Sequence, residues 1–323
     1  MTRSITVILT LVLAAAGIFG VIAPVTAQGG PPPGAGPSPP QFSLVSVSST
    51  VVVDNQIFSP ASGSIGVTVG HTGGPGGYVV TVSRGSSPTF DPRTMVRQGF
   101  FGVLLPRLEY NIFTPADEIA RDLTVPLTNN QVIRGSFGNS GSAFNTESRS
   151  FTVRIPEEQF VRRGTYQDQV EVSLYQGRQV DPDTLVLIDR ATVTISSTTP
   201  TIAQIAISGQ SSYTMDFGNL VPGATRSAPL QYRTNTGFRI DAESENGGVL
   251  VNQTHSGSAP IPYQLAVGGN TVDLSDSALV GLDLLFGTTI EFESLPMSVT
   301  IGSFEDVLPG LFQDVITFTI SNF

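Results

Sequence analysis

The feature that most constrains the fold of this chain is a strand-like motif that occurs twice. The stretch GTYQDQVEVSLYQ, residues 164–176, aligns without gaps on GLFQDVITFTISN, residues 310–322. In both copies apolar residues alternate with polar ones, which is the period-two pattern of a strand with one buried face. Two copies of one strand motif, 146 positions apart, predict two domains of similar architecture. The matched apolar pairs are Val170 and Ile316, Val172 and Phe318, and Leu174 and Ile320.

The rest of the chain from Phe42 onward favours the same class of structure. Short runs such as SLVSVSSTVVV, GYVVTVS and SFTVRI follow one another, separated by turn residues. Long helical periodicity is missing, and serine, threonine, glycine and valine are abundant. Strands at this spacing are typical of an all-β sandwich rather than of βαβ units.

The two copies of the motif differ in what comes next. The first is followed by LVLIDRATVTIS, residues 185–196, which can form a strand that pairs back beside its predecessor. The second is followed by a single further residue of the sequence. We therefore expect the first sandwich to be closed by its own chain and the second to lack the equivalent final strand. The expected domains are residues 42–198 and 199–323.

The first 41 residues are read as targeting segment and linker. Arg3 precedes an almost wholly apolar run, Ile5 to Ile22, and Val25-Thr26-Ala27 fits a small-residue cleavage site. We expect residues 1–27 to be a cleaved signal peptide, the alternative being an uncleaved membrane anchor. Residues 28–41 are rich in proline and glycine, and proline lacks the N–H group that a sheet ladder needs.

Composition argues against several classes of function. The chain has no cysteine, which excludes disulfides and thiolate metal sites. Its formal net charge of −10 argues against nucleic acid as a partner. Its two histidines, His71 and His255, lie in glycine- or serine-rich stretches without metal-ligand spacing. Asp168 and Asp314 recur in the motif but are expected to accept backbone hydrogen bonds at a strand entry. No enzymatic activity, cofactor or metal site is expected.

Two stretches are candidates for a surface-binding role. RQGFFGVLLPR, residues 97–107, concentrates apolar side chains between two predicted strands, and exposed apolar patches often mark interaction sites. The alternative is a strand buried on both faces. FGNSGSAFN, residues 137–145, is a second candidate loop. The candidate adhesive residues are Phe100, Phe101, Val103, Leu104, Leu105, Phe137 and Phe144.

A family resemblance follows from several of these motifs. RTM at 93–95, LEYNIFTPAD at 108–117 and SFTVRIPEEQFVRRGTYQDQVEVSLYQG at 150–177 resemble the spore coat protein U domain. This family supplies the subunits of archaic chaperone–usher pili. MDFGNLVPG, residues 215–223, and the second copy of the motif make the second half similar to a more divergent member.

The resemblance implies an immunoglobulin-like sandwich that lacks its last strand. In such a family the open groove is filled first by a strand of a periplasmic chaperone, then, after transfer at an outer-membrane usher, by the extension of the next pilus subunit. The physical basis is β-augmentation, in which main-chain bonds supply affinity and alternate side chains fix the register. The residues expected to line the groove are Phe312, Ile316, Phe318 and Ile320.

The resemblance also implies a position in the fibre. Two-domain members resemble tip adhesins, whose first domain holds an abiotic or host surface through apolar loops. A Pro/Gly-rich start cannot serve as a donor strand, although Phe42–Val53 could donate if it were not the first strand of domain one. We therefore expect an exported protein that passes through the periplasm to the cell surface. The alternatives are an internal pilin, a coat-layer component, or a secreted β-sandwich carbohydrate-binding module or hydrolase. The chain departs from the family in lacking its frequent disulfide and in its unusual mature N-terminus.

Overall fold

The computed structural model describes residues 38–99, 107–283 and 291–322 of the chain, with side chains in all but residues 282 and 283. The expected signal peptide and most of the expected linker lie outside these ranges. Five of the candidate adhesive residues also lie outside them: Phe100, Phe101, Val103, Leu104 and Leu105. Within the described residues, no helix is both long and apolar enough to cross a membrane.

The described residues form strands and one 3₁₀ helix, Asn129–Gln131, with no α-helix among them. The first half contains β1 (Gln41–Val47), β2 (Thr50–Val52), β3 (Ala61–Gly73), β4 (Gly76–Val82), β5 (Arg93–Arg97), β6 (Arg107–Phe113), β7 (Ile133–Phe137), β8 (Gly141–Ile155), β9 (Gly164–Gln176) and β10 (Val186–Thr199). The second half contains β11 (Ala203–Ile207), β12 (Thr225–Thr234), β13 (Phe238–Ser244), β14 (Val249–Asn252), β15 (Ile261–Val267), β16 (Asn270–Val272), β17 (Ala278–Asp283), β18 (Glu293–Ile301), β19 (Phe312–Gln313) and β20 (Ile316–Asn322).

Strands β1 to β10 form one curled, hydrogen-bonded sheet. Its main path runs β1-β3-β8-β6-β5-β9-β10-β2, and β4 joins β9 to β7. The stretch read in the sequence as the first strand lies here, because β1 pairs with β3 and β2 pairs with β10. Apolar side chains from both sides of this curled sheet meet in one core that includes Ile65, Val80, Phe151 and Val172.

Strands β11 to β20 form two further sheets around a second core. One sheet follows the order β11-β12-β18-β15-β14-β19, with β16 added beside β15, and the other follows β17-β13-β20. Their shared core includes Leu230, Ile240 and Leu265. The smaller sheet ends at β20, whose single partner among the described strands is β13.

The two halves repeat the same pairing scheme. In the first half, neighbouring strands follow the order β1-β3-β8-β6-β5-β9-β4-β7. In the second half the corresponding order is β11-β12-β18-β15-β14-β19/β20-β13-β17, where β19 and β20 together correspond to β9. Even the register repeats: Gln167 lies opposite Val96 and Gln313 lies opposite Val251. No described strand of the second half corresponds to β10. The predicted all-β fold is confirmed, and among the described strands β20 lacks the second neighbour that β9 has in β10.

The two halves meet at a buried asparagine. Asn235, fully buried in the turn between β12 and β13, donates from Nδ2 to the carbonyl oxygens of Val161 (3.1 Å) and Pro200 (2.8 Å). The main-chain carbonyl oxygen of Asn235 accepts from the backbone N–H of Arg163 (3.1 Å). Residues 37–323 accordingly form one compact unit, and the boundary at 198/199 stays a prediction about how the chain divides into domains.

Candidate strand-acceptor site

The clearest candidate site is the edge of β20 that faces away from β13, which we call the open edge. Along its other side β20 pairs continuously with β13, from Ser244 opposite Ile316 to Phe238 opposite Asn322. In the first half the equivalent strand β9 is bonded on both sides, by β4 and by β10. An unpaired edge presents a row of N–H and C=O groups that can bond another strand.

Side-chain burial along β20 agrees with an edge that is not fully covered. In β9 the residues Val170, Val172 and Leu174 are each 0% exposed. Their counterparts pack against the second core but stay half-buried. Phe312 is also half-buried, whereas its counterpart Tyr166 is 0% exposed. The half-buried set consists of Phe312, Ile316, Phe318 and Ile320, which are the residues expected from the sequence to line a groove.

The first half supplies a template for what a strand at the open edge would do. Strand β10 runs antiparallel to β9, with Val193 opposite Val170 and Ala191 opposite Val172. Val193 and Ile195 of β10 are both 0% exposed. On its far side β10 pairs with β2 in parallel. Transferred to the second half, this register places one apolar residue opposite Ile316 and a small one opposite Phe318.

A hydrogen-bonded carboxylate lies at the start of β20. Asp314 Oδ2 accepts from the hydroxyls of Tyr263 (2.5 Å) and Ser244 (2.6 Å). Its Oδ1 accepts from the backbone N–H (3.1 Å) and the side-chain amide (2.9 Å) of Asn246 and from the N–H of Val315 (2.8 Å). Burial and the bond to Asp314 raise the pKa of Tyr263, so this hydroxyl stays protonated and donates. The carboxylate therefore joins β20 to β15 of the larger sheet.

The first half contains the same arrangement. Asp168 Oδ2 accepts from the Tyr110 hydroxyl (2.6 Å), and its Oδ1 accepts from the N–H (2.9 Å) and hydroxyl (2.6 Å) of Ser86. Burial is the main cause of a raised pKa at Tyr110 as well. From the sequence, Asp168 and Asp314 are expected to accept backbone hydrogen bonds at a strand entry. Backbone N–H groups do donate to both carboxylates, but Asp168 lies inside β9 rather than at its start. The tyrosine partner was not predicted, although LEYNIF and IPYQL both carry one.

Of the candidate adhesive residues that the structure describes, Phe144 is exposed and Phe137 is not. The loop expected at 137–145 is a turn of three residues, 138–140, because β7 extends to Phe137 and β8 begins at Gly141. Phe144 lies on β8 with 59% of its surface exposed. Phe137 is half-buried, with its ring stacked on that of His71 at 4.8 Å between centroids.

His71 lies in strand β3 rather than in the glycine-rich loop expected from the sequence. It is 0% exposed. Its ring nitrogens bond Ser140 Oγ and the Gly74 carbonyl oxygen, both at 2.9 Å. The strand reaches this far because His71 pairs with Phe42 on one side and Asn145 on the other. Within the described ranges, no histidine or carboxylate belongs to a cluster able to hold a metal ion.

Comparisons with known proteins bear on the shape of the chain. No protein-family model matches it, and no curated protein matches it. Among solved structures it is similar to the chaperone–tip adhesion subunit complex CsuC–CsuE of archaic chaperone–usher Csu pili from Acinetobacter baumannii, with 14% identity and a TM-score of 0.43 over 88% of this chain and 100% of that one. It is also similar to the CupB6 tip adhesin of Pseudomonas aeruginosa, with 10% identity and a TM-score of 0.39 over 88% of this chain and 93% of that one.

A third similar structure is CfaE, the adhesive subunit of CFA/I fimbria of enterotoxigenic Escherichia coli. It shares 10% identity with this chain, with a TM-score of 0.33 over 88% of this chain and 81% of that one. These neighbours are described as pilus tip adhesins or adhesive subunits.

Proposed function

We propose that this chain is an exported pilus subunit of the chaperone–usher type whose second sandwich is completed by a strand from another protein. The observation that carries the proposal is the open edge of β20. Its counterpart β9 carries the same sequence motif and has equivalent neighbours on one side, and the closing strand β10 pairs with its other side. Strand β20 has the motif and the equivalent neighbour β13, but no described strand closes its other side. A strand added there would bond the unpaired backbone groups and cover three half-buried apolar side chains.

The successive occupants are, in this proposal, a periplasmic chaperone and then the extension of the next subunit, exchanged at an outer-membrane usher. The motif resemblance to the spore coat protein U family supports these partners. Residues 41–47 and 50–52 pair inside the first sandwich, so they are not available as a donor strand. The Pro/Gly-rich composition before them also disfavours pairing in a sheet, and the two features together favour a position at the tip of a fibre.

The first sandwich is, in the same proposal, the part that holds a surface. Phe144 supplies an exposed aromatic ring there, and the apolar stretch 97–107 supplies further candidates. An internal pilin or coat-layer component would share the open edge, and adhesion assays separate these roles from that of a tip subunit.

The experiment that tests the central proposal uses the strand that closes the first half. A peptide with the sequence of residues 186–199 is titrated into the chain lacking residues 1–27, and binding is measured by calorimetry together with the melting temperature. We expect saturable binding and a melting temperature that rises with peptide concentration, because the peptide binds the folded state alone. A matched peptide with Val193→Asp and Ile195→Asp is expected not to bind. Absence of binding by the first peptide up to about 1 mM, a limit of about −4 kcal/mol, refutes the proposal.

A further inference from the structure

We propose that Asp314 and Tyr263 are positioning residues that hold β20 ready to receive a strand, a role that the equivalent pair in the first half does not have. The inference rests on the proposed function. It starts from a difference between two otherwise matching sites: Asp168 lies inside one continuous strand, β9, whereas Asp314 lies at a break between β19 and β20.

The break lies where a closing strand would cross. In the first half Ile195 of β10 is opposite Asp168, and Gln167 and Gln169 on either side of it also have partners in β10. Strand β10 therefore fixes the backbone of β9 through this point on one side, and on the other side β5 pairs as far as Gln167. In the second half the described strands supply a partner on one side only, and the pairing of β20 with β13 begins at Ile316.

The Asp314 carboxylate bridges that gap. It collects donors from the end of β13 and the turn beyond it (Ser244 and Asn246), from β15 (Tyr263) and from Val315. These elements belong to the two different sheets of the second half. The bonds tie the start of β20 to both sheets at the position where the backbone lacks a second strand partner.

The charge of the site strengthens these contacts. Hydrogen bonds to an ionised carboxylate are roughly twice as strong as neutral ones, and Asp314 accepts one from the Tyr263 hydroxyl. Asp168 and Tyr110 are almost fully buried, at 3% and 1% exposed, whereas Asp314 and Tyr263 are half-buried. The first pair thus contributes to the stability of a finished core, and the second pair lies beside an edge that is still open.

A pre-positioned acceptor strand lowers the ordering cost that a donor strand must meet on binding. Removing the Tyr263 hydroxyl leaves β20 attached through β13 and the remaining donors, so the sandwich stays folded while the open edge becomes less ordered. The expected consequence is weaker donor binding, with the core preserved.

The test compares Tyr263→Phe with Tyr110→Phe, the matched change in the first half. Both chains are titrated with the peptide of residues 186–199, and amide hydrogen exchange is followed at residues 312–318. Tyr263→Phe is expected to weaken peptide binding about tenfold and to speed exchange at these residues in the free chain. Tyr110→Phe is expected to lower the melting temperature and to leave the peptide affinity within about twofold. A tenfold change corresponds to about 1.4 kcal/mol.

Asp314→Asn and Asp314→Ala provide the graded control, because asparagine keeps an oxygen that accepts the tyrosine hydroxyl and alanine does not. Asparagine is expected to retain most of the affinity and alanine to lose more than Tyr263→Phe. If the unaltered chain binds the peptide and Tyr263→Phe binds it equally well, the positioning role is refuted and the proposed function stands. If the unaltered chain does not bind, the proposed function itself fails.

Discussion

Leu174 and Ile320 occupy the same position in the two copies of the strand motif, and replacing each by alanine tests whether β20 is open. Leu174 is 0% exposed and belongs to β9, which pairs with β10 on one side and with β4 on the other. Ile320 is half-buried on β20, which has one described partner. Equal side-chain deletions should therefore have unequal costs.

The expected magnitudes follow from burial. A fully buried leucine truncated to alanine costs about 2–5 kcal/mol, as the transfer and cavity contributions add. Part of the Ile320 side chain is exposed to water in the free chain. Ile320→Ala should therefore lower the free energy of unfolding of the free chain by about 1 kcal/mol, at about 25 cal/mol per Å² of buried apolar surface that is lost. When a donor strand covers Ile320, the remaining burial is gained on binding, and the variant should bind that strand about tenfold more weakly, a loss of about 1.4 kcal/mol.

The assay is urea denaturation followed by circular dichroism, with and without the peptide of residues 186–199. The slope of unfolding free energy against urea should stay unchanged, so that shifts in midpoint report stability. The reasoning is refuted if Ile320→Ala destabilises the free chain as much as Leu174→Ala does, because Ile320 would then be as completely covered as its counterpart. It is also refuted if the peptide affinity of Ile320→Ala equals that of the unaltered chain.

Two further predictions concern the first half. Phe144→Ser is expected to reduce adhesion of the fibre to an apolar surface such as polystyrene, because it removes an aromatic ring that is 59% exposed, while fibre yield stays unchanged. Combining it with Phe100→Ser, Phe101→Ser and Leu104→Ser should deepen the loss, and a drop in fibre yield instead would identify these residues as part of the core. The second prediction is a loss of stability in alkali: burial raises the pKa of Tyr166 to about 12, so the folded state keeps this hydroxyl protonated where the unfolded chain ionises. The contribution of the protonated Tyr166 to the free energy of unfolding is fully present below pH 10, the usual tyrosine pKa. It falls between pH 10 and 12 by at most about 1.4 kcal/mol per pH unit. Chemical denaturation of Tyr166→Phe should therefore show a smaller loss of stability over this pH range, and an identical pH profile for the two chains would contradict the assignment.

The recurring motif illustrates how much of the candidate site was predictable. Alternation of apolar and polar residues identified the inward-facing side chains of both copies, since the side-chain period of a strand is two in any sheet. It also predicted that LVLIDRATVTIS, which follows the first copy, forms a strand beside it, as β10 does beside β9. The same alternation could not reveal that Ile316, Phe318 and Ile320 remain half-buried, as burial depends on what lies across the sheet.

Local sequence failed elsewhere for a related reason. His71 follows a regular strand but precedes TGGPGG, and the glycines suggested a loop. Partners on both sides, Phe42 and Asn145, extend the strand through it and bury its ring. For the same reason the loop expected at residues 137–145 is only a short turn, because β7 pairs with β4 and β8 pairs with β3.

The sequence by itself determined the all-β class of fold and the recurrence of one strand motif in the two halves. These properties follow from side-chain period and from the order of segments, which are local or can be compared along the chain. The tertiary structure alone decided that Tyr263 reaches Asp314, that Asn235 joins the two halves, and that Phe137 stacks on His71. Each of these contacts joins residues far apart in the chain, and the sheet topology that brings them together depends on the packing of the whole core.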